Sequence, residues 1–544
     1  MLVLYGSETG NCADLALIVT DRLRRLSIKP KVYPFGQATL EAVRAEPLII
    51  VVCSTTGQGS LPENTKPFWQ QLLARALDET TFPGTRFALF GMGDSSYPKF
   101  NWAIRKIQAR LLQLGATEFL QRAEADEQSP DGIEHVFHQW LDLLTEKLGQ
   151  PSLPLDQLLP PLYTLKTTAD ASTPNLAEKQ PVCILSENTR ITASDHFQDV
   201  RHIVLDPDTP VSYEPGDTVK IFPANNMEHV NALIEHQRWQ AIRNQCLELD
   251  PEWCAQNDVH QPCLTLEQLL TWKLDLNGIP RRSFFALASH FAKAEREQER
   301  LAEFGSGTEE GTQDLYDYAN RPRRSLVETI LEFDSLQIPL EYILDLFPVL
   351  RPRQFSIASA ANSPKIELTV AIVKYKTILH RVRRGICTSW LEKCNTGTRI
   401  TFELLHTQTK LMQKIKTVSS VICVATGTGI APIRSLIHSV GSSVPIYLFF
   451  GCRYRTKDAL YSNEWTGSNI KVIYACSREG GSYVQQQLSS HYQLLAPIIA
   501  TSLIFVCGSA GAMPRAVREA FCEISGDATI TRMEKEGRYL QETY

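Results

Sequence analysis

The chain has 544 residues, with 55 Lys and Arg against 60 Asp and Glu, a net charge of −5, and a composition 43% hydrophobic and 21% charged. That length allows about three domains with ordinary cores, and the slight acidity argues against general nucleic-acid binding, which needs a basic face. No run approaches the roughly 18 uncharged apolar residues of a membrane span. Because Leu2 opens the first strand, no signal peptide or N-terminal membrane anchor is expected. The thirteen cysteines are scattered without a CxxC, so no metal site is expected, and His135 and His138 read as a surface pair. Free thiols fit a reducing, cytoplasmic location, a mitochondrial pool being left open.

Residues 1–147 alternate strand and helix. A short apolar run at 2–5 breaks at Gly6 into Ser7, Glu8, Thr9, Gly10 and Asn11, and a helical pattern starts near Cys12. A strand entering a hydroxyl-rich loop at a helix N-terminus is an anion site, because unpaired N–H groups and the positive end of the helix dipole meet there. With no lysine and no GxxxxGK(S/T) spacing it is not a triphosphate loop; a singly esterified phosphate, such as that of FMN, suits it. Two further strands, at 48–54 and 87–91, end in similar loops. The first carries Ser54, Thr55, Thr56 and Gly57; the second carries Met92, Gly93, Asp94, Ser95, Ser96, Tyr97, Pro98, Lys99, Phe100 and Asn101. In a doubly wound sheet such loops gather at the carboxyl ends of the strands, where Tyr97 can stack on a flat ring system. Singly, each loop also reads as an ordinary turn, with Tyr97 in a core and Asn101 as a helix cap; their combination points to one site.

From 148 to 181 the chain is polar and holds Pro151, Pro154, Pro160, Pro161 and Pro174, a composition that reads as a linker. Beyond it come β-like segments at 202–205 and 218–222, a mostly helical stretch at about 227–347, and a β pattern again at 366–375. Strand–helix alternation resumes after about 419, with strands expected at 421–425, 446–451, 472–476 and 503–507. Gly427, Thr428 and Gly429 come after the first of these and precede a helix, an arrangement that admits a pyrophosphate.

The loops of the first domain resemble the FMN-binding, flavodoxin-like module of the diflavin reductases. The rest of the chain resembles the ferredoxin–NADP reductase module of that family, so that the likeness covers nearly the whole length. The resemblance implies an α/β multidomain fold: a flavodoxin-like doubly wound domain at 1–147, a linker at 148–181, an FAD-binding β-barrel with a helical connecting insert at 182–410, and a Rossmann-like NADP-binding domain at 411–544. FMN, FAD and NADPH are the implied cofactors. Glu127 is implied as an acidic FMN contact, with Asp126 its close rival. Arg353-Gln354-Phe355-Ser356 is similar to the motif whose arginine pairs with the FAD pyrophosphate, a task suited to a planar guanidinium. Its aromatic packs on the isoalloxazine and its serine sits near N5. Gly385-Ile386-Cys387-Thr388 resembles the FAD pyrophosphate loop, Arg323 a further FAD-contacting arginine, and Thr369, Val370 and Ala371 the strand bordering the flavin. Ser477, Arg478, Tyr483, Val484 and Gln485 resemble the reader of the NADPH 2′-phosphate, with Gly481 where the family usually has lysine. Ser356, Cys507 and Glu542 are implied around the nicotinamide, Ser509 replacing a common acidic residue. Tyr544 is implied to cover the flavin face that the nicotinamide must reach, which makes these four the expected catalytic group.

The loops at 6–11, 53–59 and 93–101 and Asn-Arg-Pro-Arg-Arg at 320–324 are most similar to the cytosolic eukaryotic branch of the NADPH-dependent diflavin reductases. Relatives of that type reduce the iron–sulfur protein of the anamorsin family, which the resemblance implies as acceptor of a monomeric enzyme working through transient complexes. A sulfite-reductase-type flavoprotein is the same-fold alternative, and a flavin-dead interaction scaffold the alternative of another class. The acidic run Glu124, Asp126, Glu127, Asp131 and Glu134 is a candidate docking face or simply solvated surface.

Overall fold

The computed structural model describes residues 1–57, 59–97, 99–129, 132–168, 181–261, 263–361, 363–378, 380–407 and 410–543. The chain divides into two units, Met1–Leu176 with Met227–Leu270 and Leu274–Val349, and Ala177–Asn226 with Thr271–Lys273 and Leu350–Tyr544.

The first unit begins with five strands, β1 (Leu2–Gly6), β2 (Lys31–Pro34), β3 (Leu48–Ser54), β4 (Arg86–Gly93) and β5 (Thr117–Asp126), all parallel and ordered β2-β1-β3-β4-β5. The β3 sequence LIIVVCS is buried along almost its whole length, as a central parallel strand with both faces covered must be. Ile49 and Val51 pack into one core and Leu48, Ile50 and Val52 into another across the sheet. Helices α1 (Asn11–Arg25), α2 (Trp102–Gln113) and α3 (Gly132–Leu148) complete the layers. The strand order reverses beside β1, and the loops leaving β1, β3 and β4 therefore meet at one crevice.

The remainder of this unit is a helical insert with its own core, which includes Trp253, Phe285, Phe304 and Phe347. Its helices include Met227–His236, Arg282–Ala288, Glu295–Gly305 and Leu326–Glu332. The last is opened by a capping box between Ser325 and Glu328. A small antiparallel sheet pairs Cys246–Leu249 with both Cys263–Thr265 and Leu165–Thr167. Cys246 and Cys263 are joined as a disulfide, their Cα atoms 6.1 Å apart; neighbouring strands bring them together, which corrects the expectation that every thiol is free.

Part of the stretch expected as a linker at 148–181 carries structure, Leu165–Thr167 pairing in this sheet. Leu153 N donates to Arg25 O at 2.9 Å, and Arg24 Nη2 donates to Pro160 O at 2.5 Å. The Asp345 carboxyl accepts from Leu162 N at 2.7 Å and from Tyr163 N at 3.3 Å. Leu159 and Tyr163 are buried, and Tyr163 Oη donates to Gln256 Oε1 at 2.8 Å. Proline carbonyls serve as acceptors while two apolar side chains supply buried area, so 153–168 is anchored. Residues 169–180 of the expected linker lie outside the described residues.

The second unit opens with a barrel. Its antiparallel strands run Arg353–Ser356, Thr218–Ile221, Arg399–Leu405, Val182–Arg190, Val200–Pro207 and Ile366–Ala371 in spatial order. A bridge between Ile357 and Leu368 joins the two ends. The expected β stretch at 366–375 ends at Ala371, and Lys374–Lys376 belongs to a separate hairpin with Val382–Arg384. A second parallel sheet comes next, ordered Ile470–Cys476, Ile446–Cys452, Val421–Thr426, Leu503–Gly508 and Tyr539–Thr543, again between two cores. Among the described residues no helix is long and apolar enough to cross a membrane.

Candidate functional site

In the first unit the loop after β1 turns at Gly10, whose φ of +94° is the left-handed conformation glycine adopts without penalty. Ser7 is buried; its N–H donates to Asn64 Oδ1 at 2.9 Å, and its Oγ accepts from Gly10 N at 2.8 Å. The first N–H groups of α1 have no carbonyl four residues back, and with the exposed Thr9 and Asn11 they form an anion cradle. Glu8 instead accepts from Glu63 N at 3.0 Å and ties the loop to its neighbour. The Cys12 thiol donates to Met92 Sδ at 3.2 Å, and burial pushes it up to about 12, so it serves packing.

Thr55, Gly57, Gly93, Asp94, Tyr97, Lys99, Phe100, Asn101 and Glu127 line a cavity of about 260 Å³. Tyr97 is 53% exposed, leaving its ring open to stacking. A Cβ on Gly93 would lie 2.9 Å from Asn101 N, so only glycine permits this close approach. Asn101 caps α2 at φ +53° and donates Nδ2 to Ala125 O at 3.0 Å. Its buried Oδ1 has no hydrogen-bond partner among the described residues. A cavity beside an open ring, an unspent acceptor and a phosphate cradle fits FMN. Between the two acidic rivals, Glu127 lines the cavity, whereas Asp126 Oδ1 accepts from Ser95 N and Gln128 N, each at 3.0 Å. Burial, then the Asp94 and Asp126 charges, raises the Glu127 carboxyl above its ordinary value. The remaining candidates shape the loops. Ser54 Oγ donates to Gly6 O at 3.4 Å, Thr56 bridges to Ser60, Asp94 holds Ser96 N at 2.8 Å, and the Lys99 ammonium lies over Trp102. Pro98 lies outside the described residues.

In the second unit, Arg353 is exposed and its Nη1 donates to Arg351 O at 2.9 Å, leaving further guanidinium donors for a pyrophosphate. Gln354 Nε2 donates to Thr218 Oγ1 at 2.7 Å, and Phe355 packs against the barrel core. Gly385 precedes the helix Ile386–Lys393; a Cβ there would lie 2.9 Å from both Thr388 Oγ1 and Val373 Cβ. Cys387 and Thr388 are buried beneath that turn. This glycine-backed helix start together with Arg353 fits a pyrophosphate. On the bordering strand, Val370 packs into the barrel core, Thr369 Oγ1 meets Tyr461 Oη at 2.9 Å, and Ala371 packs against the core of the parallel-sheet lobe. Arg323, in the first unit, holds φ +53° in the turn before Leu326–Glu332.

Ser356 and Glu542 lie 186 residues apart, yet Ser356 Oγ donates to Glu542 Oε1 at 2.5 Å. Cys507 and Glu542 are register partners on neighbouring parallel strands. Burial raises the Glu542 carboxyl to about 7, against the lowering effect of the Ser356 hydrogen bond and with a further rise from Asp217. Cys507 is fully buried, and its thiol is held well above the ordinary range by that burial. The structure therefore gathers a hydroxyl, a neutral thiol and a carboxyl that titrates near neutrality. Tyr544 lies outside the described residues.

Gly427 has φ +53° and Gly429 packs against Cys507 O, so the glycine turn next to Thr428 brings backbone close to the strand ends. Ser477 N donates to Cys452 O and Arg478 N to Arg453 O, each at 3.0 Å, fixing the loop after Ile470–Cys476. Tyr483 is exposed at the N-cap of Val484–Ser490, and Gln485 lies in its first turn, with Val484 buried. Gly481, at φ +69°, has open space around it. Sequence reasoning missed Asn64, which binds Ser7, and Arg281, whose Nη2 donates to Thr9 O at 2.5 Å; neither carries a local motif.

Three family models match in chain order: Flavodoxin over 3–140, FAD binding domain over 173–390 and Oxidoreductase NAD-binding domain over 423–519. They define a flavoprotein oxidoreductase with separate FMN, FAD and nicotinamide modules. Proteins named NADPH-dependent diflavin oxidoreductase 1 from Debaryomyces hansenii, Candida albicans and Schizosaccharomyces pombe are 41%, 40% and 35% identical over 100% of this chain and 98%, 99% and 99% of their own lengths. The chain belongs to the NADPH-dependent diflavin oxidoreductase family, in agreement with the cofactors FMN, FAD and NADPH expected from sequence.

Proposed function

We propose that this enzyme passes electrons from NADPH through FAD and FMN to an iron–sulfur protein of the anamorsin family, as a cytoplasmic monomer in transient complexes, early in cytosolic iron–sulfur cluster assembly. When bound, the flavins supply chemistry that accepts a hydride's two electrons together and releases them singly, which is what a one-electron cluster requires. Arg478 and its loop hold the NADPH 2′-phosphate, and Ser356, Cys507 and Glu542 position the nicotinamide. Tyr97 holds the FMN ring at the other end of the relay.

The observation that carries the acceptor reading is the rim of the FMN cavity. Exposed Tyr97 stands there with Asp94 and Glu127, and Asp126 lies close enough for its charge to act on Glu127. Glu124 is paired with Arg105 and Arg122, and Glu134 with Arg282; of the acidic run Glu127 lines the cavity with Asp126 next to it, and Asp131 lies outside the described residues. An acidic rim around a redox site favours a partner with a basic face and speeds its encounter. The test is anaerobic bleaching of the anamorsin-type cluster by NADPH and catalytic enzyme. Bleaching should slow in Asp126→Lys, with a weaker dependence on salt. No bleaching by enzyme that still reduces ferricyanide would rule this acceptor out.

A further inference from the structure

Arg281 belongs to the helical insert, 272 residues from Thr9, and its guanidinium rests on the loop after β1. Nη2 donates to Thr9 O at 2.5 Å, and a Cβ at Gly10 would lie 2.7 Å from Nη2 and 3.1 Å from Cζ. The neighbouring residues fix it there. Ser283 Oγ donates to Asp14 Oδ1, and Arg282, 4% exposed, pairs with Glu134 at 3.4 Å. The Arg281 charge reaches the first turn of α1, where it partly offsets the rise that burial imposes on Cys12 and Asp14.

The loop itself, Ser7 to Asn11, carries one carboxylate and no cation. Its own donors for a phosphate are neutral: backbone N–H groups and hydroxyls. Charge-assisted hydrogen bonds from a guanidinium are roughly twice as strong as neutral ones.

We propose that Arg281 is a phosphate ligand of FMN delivered by the helical insert, so that the cofactor's phosphate and the docking of the insert on the flavodoxin module strengthen each other. This rests on the FMN reading of the loop. The coupling is reciprocal: whatever affinity the docked arginine adds to FMN, bound FMN adds to the docked arrangement.

The test titrates the full chain, freed of FMN, with FMN and with riboflavin, which lacks the phosphate, following flavin fluorescence. Arg281→Ala and Arg281→Gln are expected to weaken FMN about ten-fold or more and to leave riboflavin within roughly two-fold. Arg281→Lys should recover most of the loss, and should decide the comparison if the larger truncations fail to fold, as judged by FAD content. FMN binding should also lose more affinity on raising salt in the wild type than in Arg281→Ala. Equal loss of FMN and riboflavin would reduce Arg281 to a structural contact, and undiminished FMN binding would remove it from the site; either overturns the proposal. A wild-type chain that binds neither flavin would instead overturn the FMN reading beneath it.

Discussion

In the role proposed for it beside the nicotinamide, Glu542 would make hydride transfer sensitive to pH. Its carboxyl titrates near 4.5 in an unfolded chain and is raised to about 7 here, chiefly by burial. The folded state therefore binds the proton more tightly. The associated stability is fully present below about 4.5 and is lost as pH rises through about 7. Catalysis runs the other way, because an ionised carboxylate favours the positive charge that develops on a nicotinamide as hydride leaves. NADPH–ferricyanide activity should rise with pH through about 7, and Glu542→Gln should flatten that step and lower kcat roughly ten-fold. A wild-type profile flat across this range would exclude Glu542 from the step. Cofactor choice belongs to the same scale. Arg478→Ala should raise the NADPH KM roughly ten-fold while leaving NADH nearly unchanged. Gly481→Lys should lower the NADPH KM several-fold, since open space surrounds that position, although φ +69° costs a non-glycine residue about 1 kcal/mol. Equal effects on both cofactors would show that this loop does not read the 2′-phosphate.

At the scale of elements, the helix Ile430–Val440 joins the barrel to the parallel-sheet lobe, with Ser439 Oγ accepting from Ala361 N at 2.9 Å and Arg434 as the charged link. Arg434, 9% exposed, pairs with Glu367 on the barrel strand Ile366–Ala371 and with Glu464 at 2.7 Å, and donates to Ala358 O at 2.9 Å. Burial pushes the Glu464 carboxyl up, but His438 and Arg434 together hold it at about 2. Its stabilising contribution is thus present above about 4.5 and is lost as pH falls towards 2. Arg434→Met removes the cation shared by two carboxylates, leaving Glu464 only His438, and should cost on the order of 3 kcal/mol, read as an earlier urea midpoint for FAD release and an acid transition moved to higher pH. An unchanged midpoint would mean the network contributes nothing net. The elements also show what sequence can carry. Central strands such as Leu48–Ser54 and Val421–Thr426 are continuous apolar runs, buried on both faces, and are legible from sequence. Tyr539–Thr543 mixes one buried with half-buried and exposed positions at a sheet edge and carries no such signal. The phosphate loops are legible because their chemistry is local. Arg281 is not, since only the tertiary fold brings it to Thr9. The stretch 153–168 reads as a free linker because its prolines signal an extended chain, while its anchors, Arg24, Arg25 and Asp345, lie far away in sequence.

For the whole molecule the question is the order of the relay, and the anchoring of 153–168 decides how to test it. A cut near Pro161 would break hydrogen bonds that hold the flavodoxin module and the insert, so lost activity could reflect lost structure. Removing FMN alone leaves the chain intact and silences one site. The group proposed to receive the nicotinamide, Ser356, Cys507 and Glu542, lies in the second unit, and the cavity proposed for FMN in the first. If hydride enters at the former and single electrons leave at the latter, FMN-free enzyme should keep most of its NADPH–ferricyanide activity, because a small soluble oxidant can take electrons at FAD. It should lose reduction of the iron–sulfur protein by roughly a hundred-fold, since a direct route would demand a protein surface at the FAD edge. Added FMN should restore the rate, saturating with the affinity measured by fluorescence. Riboflavin, lacking the phosphate, should restore it only at higher concentration. Full-rate cluster reduction by FMN-free enzyme would refute the relay, since electrons would then leave without passing the module that Tyr97 and Glu127 line.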